Sequence, residues 1–189
     1  KVRVLAMTSA SEMSRDAAAM YRQFVRAAGK SAVRVFTSKS QALPLLRDSD
    51  ILIDALLGTG LSSEVTGRYG EAIDGINEAG RPVVAVDLPS GLHADTGAML
   101  GRAVRASLTV TFGLPKLGLY QNHGIDLAGQ VRIVDIGIPP AYLEAGLVSA
   151  MAVPLLDRGR SVGALTVRSR QPQRFGDDEL RFLESLSSL

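Results

Sequence analysis

Asp50-Ile51-Leu52-Ile53-Asp54-Ala55-Leu56-Leu57-Gly58-Thr59-Gly60-Leu61-Ser62-Ser63 is the stretch on which the fold turns. An apolar run closes on the carboxylate of Asp54, and a glycine-bracketed turn follows within a few residues. In an open α/β sheet, ligands bind just outside the carboxyl ends of the strands, where such turns sit. The arrangement returns downstream, where Val83-Val84-Ala85-Val86 closes on Asp87-Leu88-Pro89-Ser90-Gly91. Two strand ends, each with an acid and a tight turn, make a site rather than a lone loop.

Outward from these two strands the pattern continues in both directions. Residues 51–54 are uniformly apolar before the acid, as expected of a strand with both faces covered. Residues 69–79 put Ala72, Ile73 and Ile76 on one side of a helix that Gly80 ends. Upstream, residues 1–7 alternate basic and apolar side chains and read as a strand. Ser14 is a good N-cap for a helix opened by Arg15 and Asp16. Its apolar face runs through Ala17, Ala18, Tyr21, Phe24, Val25 and Ala28, and Gly29 stops it. Residues 32–36 make a second strand and 43–47 a short helix. Downstream, 109–112 and 130–136 supply two more strands, separated by the loop Pro115-Lys116-Leu117-Gly118-Leu119. Strands alternating with helices, then short strands, predict an α/β fold: a three-layer, Rossmann-like, mostly parallel sheet.

Beyond Pro139-Pro140 the character changes. Residues 148–155 and 161–167 read as two strands of a hairpin turning at Asp157-Arg158-Gly159-Arg160. Residues 177–189 read as a closing helix with Leu180, Leu183 and Leu186 on one face. A hairpin and one helix bury too little apolar surface to stand alone. The boundary is expected near residue 146, dividing the chain into 1–146 and 147–189. No internal repeat or low-complexity segment is present.

Composition narrows the function classes. The 189 residues fit one domain, or one domain with an appendage, and 46% hydrophobic residues suffice for a substantial core. A formal charge of +2 with scattered arginines argues against a nucleic-acid partner. Cysteine is absent, which excludes disulfides, a thiol nucleophile and thiolate metal ligands, and fits a cytoplasmic location. No apolar run reaches the ~18 residues of a membrane span, and no signal peptide opens the chain. The start at Lys1 rather than methionine leads us to expect a processed, trimmed or incomplete product.

Asp54 and Asp87 both end strands, and Ser90 follows Asp87 by one turn. If the two strands are neighbours, two carboxylates and a hydroxyl meet at one sheet edge. Oxygen groups of this kind suit a hard cation such as potassium, magnesium or calcium. One acid could instead serve as a general base or orient a polar ligand, or both acids could simply cap turns. Gly58-Thr59-Gly60-Leu61-Ser62-Ser63 can turn successive backbone N–H groups toward a phosphate, yet it is neither a Walker loop nor a Rossmann glycine fingerprint. Lys116, on its Pro- and Gly-flanked loop, could meet an anion or remain a solvated surface lysine. His93 and His123 have no metal-ligand partner at suitable spacing and read as surface or turn residues. Ser90 in Pro-Ser-Gly lacks a nucleophile elbow.

Four ordered motifs carry a resemblance. They are Asp54-Ala55-Leu56-Leu57-Gly58-Thr59-Gly60-Leu61, then Val86-Asp87-Leu88-Pro89-Ser90-Gly91-Leu92, then Thr109-Val110-Thr111-Phe112 with Pro115-Lys116-Leu117-Gly118-Leu119, and Val134-Asp135-Ile136-Gly137-Ile138-Pro139. Together they resemble the YjeF N-terminal domain, the NAD(P)H-hydrate epimerase family, over roughly residues 1–145. The family interconverts the R and S epimers of hydrated NADH and NADPH, a metabolite-repair isomerisation that feeds a separate dehydratase. The resemblance implies that Asp54 and Ser90 ligate potassium. It implies that Gly58, Thr59, Gly60, Leu61, Ser62, Ser63 and Glu64 form the loop on the hydrated cofactor. It implies that Asp87 contacts the substrate, and there Asp87 is also the candidate for acid–base assistance. It implies a homodimer as well.

Two departures shape what is expected of this chain. The family's Asn-Asn-Gly-Gly-Asp-Gly phosphate loop precedes the strand that residues 1–7 resemble, so that loop and one potassium-ligating Asn are expected to be missing. Activity is then expected to be weakened or lost. The tail, with Ala152-Val153-Pro154-Leu155, Val162-Gly163-Ala164-Leu165 and Phe175-Gly176-Asp177-Asp178-Glu179-Leu180, resembles the last strands and final helix of a GAF domain. The alternative to an epimerase-type domain is therefore a non-enzymatic chimera, or a GAF-like sensory or interaction protein.

Overall fold

The structure is a computed structural model and describes residues 2–139, 149–157 and 160–169. It divides into two compact units, Lys1–Ile136 and Gly137–Leu189. The stretch around residue 146, where the sequence changes character, lies outside the described residues, as does the closing helix expected over 177–189.

The first unit alternates strand and helix: β1 (Val4–Ala6), α1 (Arg15–Ala28), β2 (Val33–Val35), α2 (Lys39–Arg47), β3 (Leu52–Asp54), α3 (Gly67–Glu78) and β4 (Val83–Val86). Then follow β5 (Leu108–Phe112), α4 (Gly124–Leu127) and β6 (Gln130–Val134). Strands β1 and β2 pair in parallel as a two-stranded sheet. Strands β3, β4, β5 and β6 form a second, four-stranded sheet in sequence order, with every pair parallel. The parallel α/β architecture expected from the sequence is present.

Local chemistry explains the boundaries. Ser14 caps α1 through its side chain, accepting from the Ala17 N–H, and Gly29 ends it at φ 86°. Helix α2 begins four residues earlier than its apolar pattern suggests, at Lys39, after Ser38. Pro44 lies inside that helix, where its missing N–H and fixed ring disfavour helix and blur the sequence signal. The core of the unit sits where α2 and α3 cover the sheet: Leu52, Val65, Ile73, Ile76, Val83 and Val104 are buried together, with Leu43 and Leu46 against them. Ile73 is completely buried, and removing such a side chain to alanine costs about 2–5 kcal/mol.

Strand β3 is buried on one face only. Leu52 and Asp54 point inward, whereas Ile53 is 69% exposed. An apolar run shows that a strand can be covered on both faces; it does not show that it is.

The second unit contains the expected hairpin. Strands β7 (Ser149–Asp157) and β8 (Arg160–Ser169) pair antiparallel, with a register shift between Leu155 and Leu156.

Candidate functional site

Strands β3 and β4 are neighbours, and parallel pairing sets Asp54 opposite Ala85. Both acids therefore lie at the carboxyl edge of one sheet, with Ser90 on the turn between β4 and the following loop. The structure brings Asp54 and Ser90 into direct contact. Ser90 Oγ donates to Asp54 Oδ1 at 2.6 Å, and the Ser90 N–H donates to Oδ2 at 2.8 Å. The Leu56 N–H adds a third bond to Oδ1 at 3.3 Å. Ser90 Oγ in turn accepts the Leu57 N–H at 2.9 Å and lies 3.3 Å from the Leu57 carbonyl. Two separate loops are thus tied by one carboxylate and one hydroxyl.

Asp54 and Ser90 are each 1% exposed. Burial raises the Asp54 carboxyl above its ordinary value, and the bonds from Ser90 and Leu56 offset this only in part. No basic side chain partners it among the described residues. A buried carboxylate without a cation is an expensive arrangement, and it is the feature a bound cation would relieve. Asp54, Ser90 Oγ and the Leu57 carbonyl are all oxygen donors, the set a hard cation takes. No cluster of three or more His, Asp or Glu is present among the described residues.

The loop over residues 58–64 is mostly exposed at the tip of β3, and buried Val65 anchors its far end through an N–H bond to the Leu100 carbonyl. Gly58 and Gly60 are informative because nothing in the fold demands them. Neither has a positive φ, and a Cβ at either would meet nothing within 4 Å. Gly91 differs: at φ 94° its Cβ would run into the Arg102 carbonyl, so glycine there is a requirement of the fold.

Asp87 occupies the strained turn that ends β4. Its φ is 71°, and the Leu88 N–H bonds back to the Val86 carbonyl at 2.9 Å, closing a three-residue turn. The positive-φ form of that turn is rare and strained. Its carboxylate lies on β5 and the loop beyond: Oδ1 accepts from Thr111 Oγ1 at 3.1 Å, the Phe112 N–H at 3.2 Å and Lys116 Nζ at 2.5 Å. Partial burial pushes the carboxyl up, but these donors and the Lys116 charge outweigh it and hold it below its ordinary value.

Asp54 and Ser90 are thus in contact, whereas the Asp87 carboxylate, at the same sheet edge, is bonded to β5 and to Lys116 rather than to that pair. The sequence left the partner of Lys116 open, and Thr111 and the Leu57 backbone carried no signal read as functional. Thr109 and Thr111 are both fully buried two residues apart on β5. Polar residues on the inward face of a buried strand are the cue that points to Thr111, while Thr109 is satisfied by the Ala128 carbonyl at 2.7 Å. His93 and His123 lie in turns. His93 Nδ1 accepts the Asp95 and Thr96 N–H groups at 3.2 and 3.3 Å.

The strands of this sheet define a parallel α/β domain with two acids at the tips of adjacent strands. The chain belongs to the family described as YjeF-related protein N-terminus, which matches residues 1–118; residues 134–189 match the GAF domain family. The NAD(P)H-hydrate epimerase of Weissella koreensis is 42% identical over 126 residues, 63% of this chain and 57% of that protein. The NAD(P)H-hydrate epimerase of Limosilactobacillus fermentum is 50% identical over 91 residues, 48% of this chain and 44% of that protein. The bifunctional NAD(P)H-hydrate repair enzyme of Thermofilum pendens is 50% identical over 95 residues, 50% of this chain and 18% of that protein. The crystal structure of the yeast protein ynu0 superposes with a TM-score of 0.54 at 17% identity, covering 68% of this chain and 52% of that one, a likeness of fold. The chain therefore spans less than two thirds of the length of these curated relatives.

Proposed function

We propose that the segment 1–146 is an epimerase-type domain that binds hydrated NAD(P)H and inverts its hydroxyl-bearing ring carbon. One observation carries the reading above all: Asp87, on a strained turn at the strand edge, has all three of its donors on Oδ1. Oδ2 has no partner among the described residues and is not sealed from solvent. One oxygen holds the carboxylate; the other is available to a ligand. Relatives named for NAD(P)H-hydrate epimerisation and repair support the substrate class.

The roles follow from position. Gly58, Thr59, Gly60, Leu61, Ser62, Ser63 and Glu64 form the loop on the dinucleotide, with Gly58 and Gly60 leaving room for close backbone approach. Asp54 and Ser90, with the Leu57 carbonyl, would hold potassium, which would supply the positive charge that the buried Asp54 carboxylate lacks. Asp87 acts on the ring carbon, which bears a hydroxyl beside the ring nitrogen. Being ionised, it begins as a base. Its Oδ2 takes the hydroxyl proton as the carbon–nitrogen bond breaks and a carbonyl forms, and the proton passes to the nitrogen. Reclosure on the other face reverses each step and gives the opposite epimer. Solvent supplies nothing and the proton count is unchanged.

A dehydratase acting on one epimer is the functional partner, a homodimer is the assembly, and the cytoplasm is the location consistent with a cysteine-free chain. No helix among the described residues is long and apolar enough to cross a membrane. Residues 147–189 are a GAF-like fragment appended to the domain. The testing experiment is thermal melting with hydrated NADPH, in potassium or in choline chloride, for the parent and for Asp87→Asn. The parent should gain stability from ligand, more so in potassium. A parent that responds no better than Asp87→Asn counts against the site.

A further inference from the structure

We infer that Lys116 is the positioning residue of this site: with Thr111 and the Phe112 N–H it clamps Oδ1 of Asp87, so that Oδ2 alone faces the ligand. The inference rests on the function proposed above and adds a residue that acts through Asp87.

Three observations carry it. First, the contact is a built one. Lys116 Nζ lies 2.5 Å from Asp87 Oδ1 and 2.9 Å from the Phe112 carbonyl, and the two side chains are only 20% and 23% exposed. A surface lysine meeting a carboxylate by chance holds neither a second acceptor nor that degree of cover.

Second, the loop that presents Lys116 is pinned immediately after it. The Gly118 N–H donates to the Ala94 carbonyl at 2.6 Å, and Leu119 is buried at 2% exposure. A Cβ at Gly118 would strike the carbonyls of His93 and Ala94, so the loop closes onto residues 93–94 without a gap. The ammonium is therefore delivered by backbone packing rather than by a free arm.

Third, Asp87 needs such a clamp. A residue with a side chain at φ 71° has its carboxylate direction set by an unfavourable backbone. Without donors on Oδ1, burial would favour the protonated acid, which cannot begin as a base. The Lys116 charge opposes that outcome.

The test uses the full chain, with hydrated NADPH as substrate and a stereospecific dehydratase reporting epimer conversion. Lys116→Met should lower kcat/KM by ~10²-fold, fall mainly on kcat, and move the acid limb of the pH profile to higher pH. Lys116→Arg, which restores charge and donors, should recover part of the rate and return the limb toward the parent. If Lys116→Met does not fold, Lys116→Gln carries the same comparison.

Carboxyl NMR of Asp87 supplies a readout independent of turnover: its titration should move upward in Lys116→Met. An unchanged limb and an unchanged Asp87 titration overturn the clamp, whatever the loss of rate. If parent and Asp87→Asn are equally inert, the function proposed above fails instead, and the NMR titration still decides the clamp.

Discussion

Replacing Ser90 with alanine removes both hydrogen bonds of one hydroxyl and tests whether the two strand-end loops are held as described. Ser90 Oγ donates to Asp54 Oδ1 at 2.6 Å and accepts the Leu57 N–H at 2.9 Å. A hydrogen bond to a charged group contributes about 1.5–3 kcal/mol, and an orphaned donor costs about 1–3 kcal/mol. Leu57 is only half-buried and can turn its N–H to water, so the lower end applies to it. The Ser90 backbone bond to Oδ2 survives the substitution. The expected loss is about 2–4 kcal/mol, lowering a urea midpoint by ~1–2 M. Because the Asp54 carboxyl is raised by burial, the loss should grow as pH rises through that value and the acid ionises. Urea unfolding followed by circular dichroism gives the magnitude. Amide hydrogen exchange gives the place, with protection lost at Leu57 and kept at Ile73 until global unfolding. An unchanged midpoint with unchanged Leu57 exchange would refute the tie.

Gly58→Ala and Gly60→Ala should leave stability within about 0.5 kcal/mol, as surface substitutions do, yet weaken the thermal response to hydrated NADPH. Gly91→Ala should do the reverse: positive φ alone costs about 1–2 kcal/mol, and the Arg102 carbonyl stands where the methyl must go. Melting curves with and without ligand separate the two kinds of glycine. The two acids should also pull stability in opposite directions with pH. Asp87, held below its ordinary 3.8, contributes stability that is present above that value and lost as pH falls through its folded one. Asp54, raised above 3.8, contributes most below that value and loses it as pH rises through its folded one. Comparing acid denaturation of Asp87→Asn with that of the parent should therefore show a shallower low-pH loss, while potassium should weaken the Asp54 effect.

How far the sequence carries depends on which property each element expresses. The strand ends at Asp54 and Asp87 were legible because a run of apolar residues closed by an acid and a turn residue is a local pattern. Their adjacency was a condition, and the parallel pairing of Leu52 with Val83 meets it. Helix α2 begins earlier than its apolar pattern suggests because Pro44 hides a helix whose first residue, Lys39, is held from α3: its N–H donates to Glu71 at 3.2 Å, and Ser38 supplies no side-chain cap. Ile53 shows a limit of another kind, since apolar composition is the same on a covered and an uncovered face. The Asp87 clamp was invisible because its parts come from two strands and a loop up to 29 positions apart. No spacing rule joins Lys116 to Asp87, and the γ-turn that aims the carboxylate has no sequence signature in a non-glycine residue.

If Asp87 turns over hydrated NAD(P)H at this strand edge, its removal must show in turnover itself. The most direct test supplies NADPHX epimers with potassium and a stereospecific dehydratase, and follows interconversion by the parent chain and by Asp87→Asn, each verified by a cooperative melt. The parent should interconvert the epimers faster than the uncatalysed rate, and Asp87→Asn should lose that acceleration. Equal rates for the two folded proteins would contradict it.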